Sequence, residues 1–367
     1  MADHRFPYKW TLKDAIFTKD KGKVFSCFAC GGGSTMGYKL AGFDVIGCNE
    51  IDPKMMKCYI ENHHPKYSYL EPIQTFKLRD DLPEDLYNLD ILDGSPPCSS
   101  FSMAGNREQD WGKEKQFREG QAEQVLDTLF FDFIDLAKKL QPKIVIAENV
   151  KGLLLGEAIS YVREIYKQFD EASYYCQHFL LDASTMGVPQ RRERVFFVCL
   201  RKDLAEPFLY QADIFTQLPK IRLYFNESEI LFSEIKTNEN DNILTEYDLT
   251  IWNKRKLGDL DYSTILLREE LRESNWNSKF IYDNKVCNTI ASSSGSKLVC
   301  FSYPRKINNN ELISCGSFPS DYFFFGNDIK FIIGMSVPPV MMAQIATEIY
   351  NQWLSKLPGN NLQDKKE

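Results

Sequence analysis

Histidine is scarce in this chain, with four in 367 residues, and no group of histidines and cysteines has zinc-ligand spacing. The single CxxC, Cys27 and Cys30, has no second pair and reads as packing at a strand end, so no metal site is expected. The ten cysteines are scattered through strand-like runs, which argues against a disulfide framework and for a reducing cytosol. No apolar run reaches the roughly 18 residues of a membrane span. The opening Met1-Ala2-Asp3-His4-Arg5 lacks the apolar core of a signal peptide. A net charge of −7 argues against a general nucleic-acid coat, though not against a local basic cleft. No Gly-Lys-Ser/Thr follows the glycine-rich run, which disfavours a phosphate-cradling Walker loop. There is no internal repeat.

What is present is alternation. Val24–Phe28 and Phe43–Cys48 read as short buried strands, with a helix over Ser34–Leu40 between them and another over Pro53–Asn62. Apolar residues at i, i+3, i+4 and i+7 mark a helix over Gln121–Leu140, and Ala158–Phe169 has Ile159, Val162, Ile165, Tyr166 and Phe169 on one face. Strands alternating with helices predict an α/β fold, a Rossmann-like, mostly parallel, doubly wound sheet. We expect residues 1–22 to be a polar lead-in and 23–202 plus 288–356 to form the main domain. The irregular 203–287 reads as a smaller second domain and 357–367 as a disordered tail. Val337–Leu354 reads as a late helix opened by Pro338-Pro339.

Three signals sit at strand ends. After Leu89-Asp90-Ile91-Leu92 comes Gly94-Ser95-Pro96-Pro97-Cys98-Ser99-Ser100-Phe101-Ser102, which holds a cysteine on a proline-stiffened loop. Ile144-Val145-Ile146-Ala147 ends in Glu148-Asn149-Val150, where Asn149 can hold the turn. Gln190-Arg191-Arg192-Glu193-Arg194 opens Val195-Phe196-Phe197-Val198; on an extended chain Gln190, Arg192 and Arg194 would face one way. A nucleophile, a carboxylate and arginines at strand termini suggest one active site. Phe28-Ala29-Cys30-Gly31-Gly32-Gly33 turns from the first strand into a helix, where backbone N–H groups can approach a ligand. Glu50, with Ile51, ends the next strand about 20 residues on and can accept hydrogen bonds from a ribose. The pair suits an adenosine-bearing cofactor.

These blocks, in this order, resemble a cytosine-5 DNA methyltransferase. The match rests on Pro96-Pro97-Cys98-Ser99-Ser100-Phe101-Ser102, Glu148-Asn149-Val150, Gln190, Arg192 and Arg194, and the glycine-rich loop. Gly316-Ser317-Phe318-Pro319 and Gly334-Met335-Ser336-Val337-Pro338-Pro339 fit the last two blocks. The resemblance implies a class I methyltransferase fold and S-adenosyl-L-methionine as cofactor. It also implies duplex DNA as partner, a monomer, and the cytoplasm of a bacterium or phage-infected cell. It makes Cys98 the nucleophile, Glu148 the group on the ring nitrogen and amine, and Arg192 the cation that helps hold the base carbonyl oxygen, with Arg194 a further catalytic residue. It assigns Phe28, Ala29, Cys30, Gly31, Gly32, Gly33, Glu50, Ile51, Pro96, Ser336 and Val337 to the cofactor. Ser99–Gly120 resembles the family's mobile loop, on which Arg107, Lys113, Lys115 and Arg118 are phosphate candidates. Residues 203–287 would read the target, with Trp252 and Lys254-Arg255-Lys256 facing DNA.

The chain departs from the family pattern in three places. Cys30 stands at a glycine position, Met335 replaces the usual Asn, and no Asp lies around Pro72-Ile73-Gln74-Thr75, where Gln74 is the substitute for the adenine contact. Two alternatives share the sequence: a tRNA cytosine-5 methyltransferase and a catalytically silent cofactor- or DNA-binding homologue. The RNA-acting branch carries Cys-Phe-Thr in its recognition segment, and 203–287 lacks it.

Overall fold

Strand signals cluster where apolar residues occupy successive positions, and in the computed structural model these runs are buried on both faces of one sheet. The structure describes residues 4–97, 114–115, 124–125, 128–156, 158–213, 216–238, 241–270, 278–293, 295 and 297–358. The chain forms two compact units: Ile16–Leu181, Glu193–Tyr224 and Met342–Glu367 in the larger, Met1–Ala15, Asp182–Arg192 and Phe225–Met341 in the smaller.

The larger unit runs β1 (Lys23–Cys27), α1 (Gly33–Leu40), β2 (Asp44–Glu50), α2 (Pro53–His63), β3 (Tyr67–Leu70), the short α3 (Ile73–Phe76) and β4 (Ile91–Gly94). Then come α4 (Leu129–Leu140), β5 (Ile144–Val150), α5 (Ala158–Glu171), β6 (Tyr174–Asp182) and β7 (Glu193–Arg201). The seven strands lie in the order β3-β2-β1-β4-β5-β7-β6. The first five pair in parallel, and β7 runs antiparallel to β5. Phe25, Leu92, Val145 and Phe197 pack with Phe130 and Phe133 of α4 and Ile165 of α5. Their strand neighbours Val24, Ile91, Ile146 and Val198 are fully buried on the opposite face. The mostly parallel α/β sheet anticipated from the alternation is therefore present.

Local chemistry sets the ends. Asp52 caps α2, accepting from Lys54 N at 2.8 Å, and Pro53 takes the first turn. Gln141 ends α4 in the left-handed region (φ 49°). α4 begins at Leu129 rather than Gln121, and Gln124–Val125 is a short strand. Ile159, placed by periodicity on the packed face of α5, is exposed; Tyr161 and Val162 take the buried stripe.

The unit boundaries depart from the expected 203 and 288. Residues 209–224 stay with the larger unit, where β8 (Leu209–Gln211) pairs antiparallel with β9 (Gln217–Pro219). Trp353 Nε1 donates to Lys220 O at 2.8 Å and Arg222 N to Gln352 Oε1 at 2.8 Å, fastening this segment to the C-terminal helix end. In the smaller unit, α6 (Glu246–Trp252) and α7 (Tyr262–Glu270) pack on β10 (Ser278–Ile281), which pairs in parallel with β11 (Lys297–Cys300). That pairing draws 288–341 into the smaller unit, with α8 (Asn309–Cys315) and α9 (Ile329–Met335). The lead-in divides: up to Ala15 it belongs to the smaller unit, where Trp10 Nε1 donates to Ser317 O at 2.9 Å and Leu12 N and Lys13 N donate to the Asp321 carboxylate, while Ile16 onward stays with the larger unit. α10 (Pro339–Gln352) is the late helix. The apolar stretch Ile329–Lys356 is broken before Pro339, and 78% of an 18-residue window within it is buried inside the protein.

Phe133 is fully buried and fills the space a Cβ on Gly94 would take, 2.5 Å from its ring, directly beneath the strand end. Phe133→Ala should cost about 3–5 kcal/mol, seen as a lower urea midpoint with an unchanged slope.

Candidate active site

The sheet register brings the carboxylate and one arginine together. β5 and β7 pair with Glu148 opposite Phe196 and Val150 opposite Arg194. Glu148 and Arg194 are therefore diagonal neighbours on one face, within reach of long side chains. Arg194 Nε lies 2.9 Å from Glu148 Oε1, with both side chains largely buried. Burial lowers the Arg194 pKa and the Glu148 carboxylate opposes the shift. Arg194 also donates from Nη1 to Glu193 O at 2.8 Å, while Lys151 pairs with the Glu193 carboxylate at 2.9 Å. Asn149 points the other way along the strand. Its Nδ2 donates to Pro96 O at 3.2 Å and its Oδ1 accepts from Val150 N at 2.8 Å. The end of β5 is thereby tied to the Pro96-Pro97 lead-in. Cys98 and the loop Ser99–Gly120, apart from Glu114–Lys115, lie outside the described residues, as does 359–367 of the tail.

Arg192 behaves differently from the sequence expectation. The strand starts at Glu193, so the period of two does not carry back to Arg192 and Gln190. Arg192 is 2% exposed and sits in the smaller unit. Its Nη1 donates to Ile290 O at 3.1 Å, and its Nη2 to Gly334 O at 2.7 Å and Ser336 O at 3.0 Å. Gly334 is needed there, because a Cβ would fall 2.5 Å from Ser292 N. Gln190 works alongside: its Nε2 donates to Cys315 O at 3.2 Å and its Oε1 accepts from Ile290 N at 3.1 Å. Gln190 and Arg192 are thus braces of main chain, not cations and amides turned toward a ligand. Ser336 donates from Oγ to Ile332 O at 2.8 Å, and Val337 is buried in the same unit.

The glycine-rich turn is built as a cradle. Phe28 (φ 53°), Cys30 (φ 46°) and Gly32 (φ 78°) take left-handed backbone. A Cβ on Gly32 would meet His63 Nε2 at 2.2 Å, so only glycine fits. Burial lowers the His63 pKa to about 3, keeping the ring neutral against this turn. Gly32 caps α1 without any side-chain hydrogen bond, so the first turn of α1 has no capping side chain among the described residues. Glu50 is buried at the end of β2. Its Oε2 accepts from Cys30 N at 2.7 Å, and its Oε1 from Ile51 N at 2.8 Å and Asp52 N at 2.9 Å. Burial raises the Glu50 pKa against the pull of those amides. Gln74 Oε1 is buried with no protein partner among the described residues, an acceptor held ready for an amine. Ala29 and Gly31 are buried, and Ala29 N donates to Asn49 O at 3.3 Å. An uncapped helix start, a glycine-only turn and an orphaned acceptor fit an adenosyl cofactor.

Two further findings were not anticipated. Trp252 is a core residue, with Nε1 donating to Cys300 O at 2.9 Å, and Arg255 lies on its ring and donates to Phe301 O at 2.8 Å. These two are internal supports of the smaller unit rather than DNA-facing groups. Asp93, 1% exposed in β4, also escaped notice; a carboxylate inside a buried-strand run was the available signal.

The C-5 cytosine-specific DNA methylase family model matches residues 22–351. The type II methyltransferase M.FnuDI of Fusobacterium nucleatum is 37% identical over 50% of this chain and 48% of its own length. The type II methyltransferase M1.HphI of Haemophilus parahaemolyticus is 26% identical over 88% of this chain and 85% of its length. A solved mutant form of Spodoptera frugiperda DNMT2 shares the fold, with a TM-score of 0.61 at 18% identity, covering 89% of this chain and 99% of that one. Against M.FnuDI the alignment spans about half the relative's length.

Removing the Arg192 guanidinium leaves three buried carbonyls without their donor. Arg192→Ala should cost about 3–5 kcal/mol of stability, and Arg192→Lys should not restore it, since one ammonium cannot span the three carbonyls. Thermal unfolding checks both.

Proposed function

The chain belongs to the C-5 cytosine-specific DNA methylase family, and from that premise we propose that it transfers a methyl group from S-adenosyl-L-methionine to carbon 5 of a cytosine flipped out of a specific duplex DNA sequence. The observation that carries this reading is the Glu148–Arg194 pair at the strand ends, with Asn149 bound to the Pro96-Pro97 lead-in to Cys98. The relatives named as type II methyltransferases support a modification enzyme acting in a bacterial cytoplasm.

Phe28, Ala29, Cys30, Gly31, Gly32 and Gly33 line the cofactor's amino-acid and ribose side in this reading, Glu50 and Ile51 its ribose, and Gln74 its adenine amine. Pro96 completes the set within the larger unit. S-adenosyl-L-methionine supplies a sulfonium-activated methyl group for carbon 5. The chain's own residues do the rest. Cys98 thiolate forms a bond to carbon 6, and the carbon 5–carbon 6 π pair shifts into the ring. Ring nitrogen 3 takes up the displaced electron pair and a proton from solvent, and the Glu148 carboxylate accepts hydrogen bonds from that nitrogen and from the exocyclic amine, so the adduct is an enamine nucleophilic at carbon 5. We assign the contact to the base carbonyl oxygen to Arg194, because Arg192 is committed to main chain. Loss of the carbon 5 and nitrogen 3 protons to solvent re-forms the carbon 5–carbon 6 double bond and expels Cys98 as thiolate.

Labelled-methyl transfer separates this reading from its rivals: duplex DNA should be labelled and tRNA not. Exclusive labelling of tRNA, or cofactor binding with no transfer, would overturn it. Cys98→Ala should abolish transfer while cofactor binding survives, and retained turnover would refute the role of that thiol. Arg194→Ala should lower kcat by about 10²–10³-fold.

A further inference from the structure

Asp93 is buried in β4, immediately before Gly94-Ser95-Pro96-Pro97, and two hydroxyls donate to its carboxylate. Ser26 of β1 donates to Oδ2 at 2.8 Å and Tyr38 of α1 to Oδ1 at 3.2 Å. Ser34, in the first turn of α1 next to the glycine turn, lies close enough to help hold the carboxylate's pKa down. One carboxylate thus joins the helix that begins at the cofactor cradle to the strand that leads to the nucleophile loop. We propose that Asp93 is a positioning residue for methyl transfer, holding the start of α1, and with it the Gly31-Gly32-Gly33 turn, against the end of β4. This rests on the reading that the turn holds S-adenosyl-L-methionine, and it adds a residue that neither the sequence motifs nor the proposed chemistry uses.

The physical basis is charge-assisted hydrogen bonding in a dry site. An ionised carboxylate accepts from both hydroxyls; a protonated one must donate its own hydrogen and forfeits part of that set. Burial raises the Asp93 pKa to about 7, and the nearby charge of Glu148 on β5 pushes the same way. The other titratable groups facing it are Cys27 on β1, Tyr38 on α1 and Tyr59 on α2. Burial raises all three well above their ordinary values, so they stay neutral across this range. The folded pKa lies above the unfolded value near 3.8. The folded state therefore holds a proton that the unfolded chain has lost, and the stability this gives falls away as pH climbs from about 4 through 7. Cofactor grip moves oppositely, strengthening as Asp93 ionises.

The test uses the full chain with Asp93→Asn, Tyr38→Phe and Ser26→Ala. It measures S-adenosyl-L-methionine binding by calorimetry from pH 5.5 to 8.5, along with kcat and both KM values. The parent should bind cofactor more tightly as pH rises through about 7, and D93N should lose that dependence. At pH 8, D93N should raise the cofactor Kd and KM about tenfold, with kcat and the DNA KM within about threefold. Tyr38→Phe should show a smaller loss of the same kind. The Tm of D93N relative to the parent should rise between pH 5 and 8. Parental cofactor affinity and pH profile in D93N would overturn the proposal. So would an equal loss of cofactor and DNA affinity with a Tm lowered at every pH, the mark of a merely structural residue. If D93N does not fold, Tyr38→Phe and Ser26→Ala decide: unchanged cofactor affinity in both overturns it. A parent that binds cofactor but methylates nothing would sink the proposed function alone, since the calorimetric comparison still reads Asp93.

Discussion

The antiparallel register between β5 and β7 is the constraint on which the candidate site depends. It sets Val150 against Arg194 and Glu148 against Phe196, so a carboxylate and a guanidinium from segments 46 residues apart (148 to 194) meet at one strand end. A slip of one residue would send Arg194 to the opposite face, where Phe197 and Val195 belong to the packed core. The register is secure because Ile146, Phe196 and Val198 on one face and Val145, Ala147 and Phe197 on the other are all buried, so a slipped pairing would expose neither set cheaply. Asn149 then uses the same strand end to hold Pro96.

Within each unit, charged groups among the described residues are buried against specific partners. Arg192 is answered by three carbonyls, Glu50 by three amides and Asp93 by hydroxyls from two elements. Such groups cost free energy to desolvate and return it only when every partner is in place. They make the glycine turn, the strand ends and the passes at Ile290 and Gly334 specific in geometry rather than merely compact. Arg194 differs in kind, since its ionic partner is Glu148 rather than main chain alone. That difference separates the arginine suited to chemistry from the one that serves as a brace.

Much of this was legible along the chain. Apolar runs bounded by turn residues marked β1, β2, β5 and β7, and periodic stripes marked α4 and α5, because element type follows from local spacing. The positions of Glu148, Asn149 and the glycine turn at strand ends followed in the same way. Boundaries were less legible. Residues 209–224 look irregular, yet Lys220 and Arg222 hold them to Trp353 and Gln352 through contacts more than 100 residues distant in sequence.

The chain order by itself determined the alternating α/β plan, the parallel sheet and the residues gathered at its strand ends, since each depends on neighbours within a few positions. Only the folded arrangement decided that Arg192 would grip carbonyls 98, 142 and 144 residues away, that Trp252 would be core, and that Asp93 would collect hydroxyls from β1 and α1. A guanidinium, an indole or a carboxylate carries no mark of its partners in its own flanks; distant backbone, brought close by packing, selects them.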